Sequence, residues 1–122
     1  MIIGIGVDVC QVARFESMMS RRPRVIDHLF TEAESRLPDG RMRPAHSLAA
    51  RFAAKEALAK ALGAPGGLAW HDAQLLSGAD SRPRFEVHGT VAEALAQRGI
   101  ASVHVSLSHD GGLATAFVVC ES

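Results

Sequence analysis

Residues 48–62 read LAARFAAKEALAKAL, and the way this stretch folds dictates the rest of the chain. Eleven of its residues are apolar, and the four charged ones are Arg51, Lys55, Glu56 and Lys60. The pattern predicts a helix over 46–62, stopped by Gly63 and then by Pro65-Gly66-Gly67. At about 100° per residue, Arg51 and Lys55 share one narrow stripe, and Glu56 and Lys60 share another on nearly the opposite side. A helix apolar over most of its circumference is buried on most sides. Its charges therefore need partners, because an unpaired, desolvated charge costs several kcal/mol. A Glu56–Lys60 pair at i,i+4 satisfies two of them, for about 0.5 kcal/mol, and leaves Arg51 and Lys55 unexplained. Phosphates together with a cation would satisfy all four.

Upstream, IIGIGVDV at 2–9 reads as a strand, with Ile3, Ile5, Val7 and Val9 on one face and Gly4, Gly6 and Asp8 on the other. A helix follows over 11–20, and residues 24–37 are helical in pieces, with Thr31 capping a turn that contains Glu34. Residues 38–44 form a loop. Downstream, strands are expected at 73–77 and 84–88 around a polar turn, then a helix over 90–98 closed by Gly99. Two final strands, 102–108 and 113–119, are joined by His109-Asp110-Gly111-Gly112, a hairpin-type connection. Helices and strands mix without a regular βαβ alternation, which argues for an α+β fold in a single domain spanning 1–122.

Composition narrows the function classes. The 122 residues are 48% hydrophobic and carry no apolar run near the ~20 residues of a bilayer span. The N-terminus has no signal-peptide pattern and the two cysteines, Cys10 and Cys120, show no CxxC spacing, so a reducing cytoplasm is expected. Net charge is zero, yet Arg14, Arg21, Arg22 and Arg24 face only Glu16 in their stretch. Such a patch suits an acidic partner or a phosphate-bearing ligand, or is a solvated helix face. With six aromatic residues for base stacking, nucleic acid is not the expected partner. GxGxxG fails at its third glycine, and GxxxxGK[ST], GxSxG and HExxH are absent.

Three elements carry chemistry. Asp8 is the one strong oxygen ligand on the glycine face of the first strand. It suits a hard cation such as magnesium, or else caps the helix that follows. The helix supplies Arg51, Lys55, Glu56 and Lys60. At the far end, His109 and Asp110 sit where a strand enters a glycine turn, an accessible place for binding or catalysis. Asp-Gly-Gly is also what a tight turn prefers. The other histidines (28, 46, 71, 88 and 104) lack metal-ligand spacing and read as surface or satisfied core residues.

Taken together, GIGVDVCQVARF at 4–15, ARFAAKEALAKALG at 50–63 and VSLSHDGGLATAFVV at 105–119 resemble the holo-acyl-carrier-protein synthases. These are the short branch of the 4′-phosphopantetheinyl transferases. The resemblance implies a small antiparallel sheet packed on the long alanine-rich helix, and a trimer with coenzyme A lying between subunits. The implied reaction moves the phosphopantetheine of coenzyme A onto a serine of apo acyl carrier protein and releases 3′,5′-ADP. On this resemblance Asp8 and Glu56 hold magnesium, and Lys60 contacts the diphosphate and neutralises or protonates the departing nucleotide. Arg51, Lys55 and His109 bind the nucleotide and its phosphates, with the backbone around Gly63 lining the cleft. Arg14, Met18, Arg21 and Arg24 form the docking surface for the carrier protein. Asp110 is a candidate base for the serine hydroxyl, and Glu56 acting through a metal-bound water is the competing one.

Overall fold

The long helix lies where the pattern of 46–62 puts it, and everything else packs around it. A computed structural model describes all of residues 1–122. In chain order it contains β1 (Ile2–Gln11), α1 (Val12–Arg21), α2 (Arg24–Leu29), α3 (Glu32–Ser35), α4 (Ala45–Ala61), a 3₁₀ turn (Trp70–Asp72), β2 (Ala73–Ser77), β3 (Pro83–Val87), α5 (Gly89–Gln97), β4 (Ser102–Asp110) and β5 (Leu113–Glu121). Three strands form an antiparallel sheet in the order β1-β5-β4, and β2 and β3 form a separate hairpin. The α+β reading stands.

Helix α4 crosses the β1-β5-β4 sheet. Leu48, Ala49, Ala53, Ala54 and Ala57 on it have no solvent exposure. The approach to β1 is close enough to demand glycine. A Cβ on Gly4 would lie 2.0 Å from the Ala61 carbonyl oxygen, and one on Gly6 1.8 Å from that of Ala57. The bare face of the first strand is therefore the seat of the helix backbone. The apolar face of the same strand points outward instead: Ile3, Ile5, Val7 and Val9 are 42–59% exposed, and Phe117 beside them on β5 is 46% exposed.

Several boundaries move. Strand β1 continues to Gln11, so α1 starts at Val12 and its N-cap is Gln11, with no side-chain cap. This removes the capping role considered for Asp8, which lies three residues inside the strand. Strand β4 runs to Asp110, paired with Leu113, so the connection is only Gly111-Gly112. Both glycines take positive φ (56° and 78°), the condition for a two-residue primed turn. His109 and Asp110 are thus strand residues. Thr31 and Glu34 form the anticipated capping box.

Candidate active site

The first strand and α4 put Asp8 and Glu56 within electrostatic reach of each other, on either side of Lys60. Asp8 projects from β1 toward the helix, its side chain 18% exposed and its carbonyl held by Thr115 Oγ1 at 2.9 Å. Lys60, one turn beyond Glu56 on α4, donates to Asp8 Oδ1 at 2.9 Å and to the Val7 carbonyl at 3.1 Å. Glu56 is half-buried beside them. Its carboxyl is pushed above the usual range, first by burial and then by the negative charge of Asp8, with Lys60 pulling the other way. A carboxylate whose ionisation is opposed by a neighbouring carboxylate is one that a cation would favour. Oxygen donors of this kind fit a hard divalent ion such as magnesium, which takes one or two protein carboxylates and completes its shell with phosphate oxygens and water.

Next to Glu56 opens an apolar cavity of about 260 Å³, lined by Leu58, Ala59, Pro65, Leu68, Trp70 and Val91 among others. Its wall uses Ala64, Pro65 and Gly67; Gly63 turns the chain after α4 with φ +83° and does not itself line this cavity.

The stripe with Arg51 and Lys55 behaves differently. Lys55 is buried, and its Nζ donates to Glu34 Oε1 and the Leu29 carbonyl at 2.8 Å and to the Trp70 carbonyl at 2.9 Å. All three ammonium protons have acceptors within the fold. Burial pushes this ammonium below its usual range, and the hydrogen bond and charge of Glu34 oppose that shift. Lys55, expected to bind nucleotide phosphate, has Glu34, itself buried in the core, as its ion-pair partner. Glu34 also accepts Thr31 N–H and, through Oε2, Leu75 N–H.

Arg51 fits the expectation of an anion partner better. It is 5% exposed, its Nε has no hydrogen-bond partner, and Nη2 reaches only Ser77 Oγ at 3.4 Å. Its pKa is pushed down to about 10 by burial, then by the nearby Arg43, with Glu34 opposing.

At the other end of α4, the exposed His109 ring lies 4.9 Å, centroid to centroid, from His46. Both rings, with Asp110, Gly111 and Gly112, border a cavity of about 420 Å³. His46 was read as a surface or core residue, and no spacing in the sequence marks it as the neighbour of His109. Arg14, Arg21 and Arg24 are exposed and free of salt bridges, whereas Met18 packs partly into the core beneath α1. The residues expected to dock the carrier protein are thus exposed arginines and a methionine that is only partly accessible.

Comparison with known proteins adds to this geometry. Residues 4–118 match the family model described as the 4′-phosphopantetheinyl transferase superfamily. The chain is 57% identical over 120 residues to a holo-[acyl-carrier-protein] synthase of Streptomyces coelicolor, covering 98% of both chains. Among solved structures it resembles the holo-[acyl-carrier-protein] synthase of Neisseria meningitidis, with a TM-score of 0.85, 29% identity and full coverage of both chains. It also resembles the enzyme of the same name from Helicobacter pylori in complex with coenzyme A, with a TM-score of 0.83, 29% identity, and 96% and 99% coverage.

Proposed function

This chain belongs to the 4′-phosphopantetheinyl transferase superfamily, and from that premise we propose how its residues carry the reaction. The chain is an enzyme with holo-[acyl-carrier-protein] synthase activity. It transfers the 4′-phosphopantetheine moiety of coenzyme A to a serine hydroxyl of apo acyl carrier protein, yielding adenosine 3′,5′-bisphosphate, and supports fatty acid biosynthesis. Residues 1–122 act as one transferase domain, a reading supported by the extent of the family match.

The observation that carries the mechanism is the meeting of Asp8, Glu56 and Lys60 over the glycine-floored crossing of β1 and α4. A magnesium ion held by Asp8 and Glu56 would draw charge from the diphosphate oxygens and from the departing nucleotide. Lys60, 53% exposed at its side chain, is free to turn from Asp8 toward the diphosphate. There its ammonium offsets charge and can give a proton to the leaving phosphate. The serine oxygen bonds to the phosphorus that carries pantetheine, the bond from that phosphorus to the 3′,5′-ADP oxygen breaks, and the serine proton goes to a base. Glu56, acting through a bound water, is one base candidate, and Asp110 is the other. Asp110 stands at the opposite end of α4 and would serve a neighbouring subunit's site. The half-buried apolar cavity beside Glu56 leaves room for the uncharged part of the substrate.

A homotrimer is the assembly we infer. Two features support it. The outer face of the sheet exposes Ile3, Ile5, Val7, Val9 and Phe117 in one patch, as an interface does. Arg51 and Glu56 also point roughly 140° apart around α4, so one coenzyme A reaches both kinds of group only when two subunits contribute. Arg14, Arg21 and Arg24, with Met18 at their centre, present a basic surface to the acidic carrier protein. His109 joins Arg51 in binding the nucleotide, and the backbone following Gly63 borders the cleft. No helix is long and apolar enough to cross a membrane, and we place the enzyme in the cytoplasm.

Intact-mass measurement of an apo carrier protein after incubation with the enzyme, coenzyme A and magnesium tests the reading. Gain of one phosphopantetheine is expected, together with release of 3′,5′-ADP; an unchanged carrier mass with folded enzyme refutes it.

A further inference from the structure

The end of β4 carries a ring that the fold leaves without polar support. His71, His88 and His104 each have a polar partner within the chain, whereas His46 and His109 have none. They have each other: the two rings lie 4.9 Å apart, centroid to centroid, and are tilted by 43°. That is a favourable aromatic approach, since ring pairs prefer tilted or offset geometry at about 4.5–7 Å. Both side chains are exposed, so the contact adds little to the core.

The backbone beneath His109 is fixed independently of that contact. His109 pairs with Ala114 in the β4–β5 ladder, and beyond it the Gly112 carbonyl accepts Val12 N–H at 2.9 Å. The side chain has no such anchor. Along β4, His109 shares the parity of Val103, Val105 and Leu107, which pack on the core, so its ring leaves the sheet on the helix side. There the first turn of α4 presents His46, the second residue of that helix. Ala114, the cross-strand partner, is buried and offers only a methyl group. Both rings border the cavity of about 420 Å³ that Val12, Asp110, Gly111 and Gly112 also line. A ring that must meet a ligand from such an open place binds better when it is already held, because ordering a free side chain on binding costs affinity.

We propose that His46 is a positioning residue for coenzyme A, backing the His109 ring so that it meets the nucleotide already ordered. The inference rests on the placement of His109 among the nucleotide-binding residues. His46 touches no substrate atom in this role; it acts through the ring that it supports.

Loading kinetics of His46→Ala, His46→Phe, His109→Ala and the His46→Ala/His109→Ala double variant test this. His46→Ala is expected to raise the KM for coenzyme A about three- to tenfold, the size of one side chain left to be ordered, with kcat and the KM for carrier protein little changed. His46→Phe should keep the KM for coenzyme A within about twofold of wild type, because a flat ring still backs His109. In the His109→Ala background, His46→Ala should have no further effect, the signature of a residue that acts through another. Thermal melts of the variants should match wild type, since both side chains are exposed. Four results each overturn the role of His46 while His109 keeps its own: an unchanged KM in His46→Ala, a lowered melt in that variant, a Phe variant as weak as the Ala one, or effects that multiply in the double variant. No change of KM in His109→Ala overturns the placement of His109 as well, and absence of loading by the wild-type enzyme overturns the transferase reading itself.

Discussion

Two lysine–carboxylate pairs sit five residues apart on one helix, at nearly equal distance, and do opposite work. Lys55–Glu34 closes at 2.8 Å with side chains 2% and 0% exposed, and Lys60–Asp8 at 2.9 Å with side chains 53% and 18% exposed. In the first, every proton of the ammonium has a protein acceptor, and the carboxylate is shared with Thr31 and Leu75. It ties α3, β2 and the 3₁₀ turn to α4. In the second, Lys60 holds one oxygen of a carboxylate that a cation could claim, and half of its own side chain faces solvent. The separation of charges is uninformative here. Burial and saturation distinguish a structural pair from one that can exchange partners.

The sharpest way to break this contrast is to cut the buried pair. Lys55→Met leaves the Glu34 carboxylate buried without its counter-ion, and urea denaturation should show a loss of about 3–5 kcal/mol. A midpoint close to wild type would mean that Lys55 is not a structural residue and would reopen its assignment to the nucleotide. The matching change in the open pair should split the two properties. Lys60→Met should cost on the order of 0–1 kcal/mol in stability, as exposed pairs do. Its kcat/KM for carrier loading should fall on the order of a hundredfold, the typical effect of removing one donor to developing charge. Loss of stability comparable to that of Lys55→Met would erase the distinction.

A subtler test uses pH. The Glu56 carboxyl is held above its ordinary value of 4.5 by burial and by Asp8. Between those two values the folded, metal-free protein binds more protons than the unfolded chain, so stability falls as pH rises through that window. Thermal melts in chelator should show this decline from pH 4.5 upward, and Glu56→Gln should flatten it. Excess magnesium should counter the decline at the upper end of the window, because the ion binds the deprotonated form. A melting profile with the same slope in wild type and Glu56→Gln would sever Glu56 from Asp8.

Much of this arrangement was legible in the chain, and the exceptions share a cause. The helix over 46–62, the strand at 73–77 and the Thr31–Glu34 box are set by local spacing, and they stand within a residue of Ala45–Ala61, Ala73–Ser77 and the observed capping box. Asp8 and Glu56 were paired through resemblance, whereas the bare glycine face showed only that something approaches β1 closely. That the visitor is the α4 backbone, and that the apolar face looks outward, depends on packing and on partners outside one chain. Glu34 was visible only as a cap, because its bond to Lys55 spans 21 residues. His46 beside His109 is likewise a long-range meeting with no periodicity to betray it. Strand β4 outran its expected end because Gly111 and Gly112 can both take positive φ, which lets the hairpin close in two residues.

The central claim is that Asp8 and Glu56 share one divalent ion. Manganese, followed by the loss of its free-ion electron paramagnetic resonance signal as enzyme and coenzyme A are added, reads this without turnover. Wild type should bind one ion per site, and Asp8→Ala and Glu56→Ala should each weaken binding by at least about tenfold while keeping the fold. Undiminished manganese binding in both variants would contradict the account.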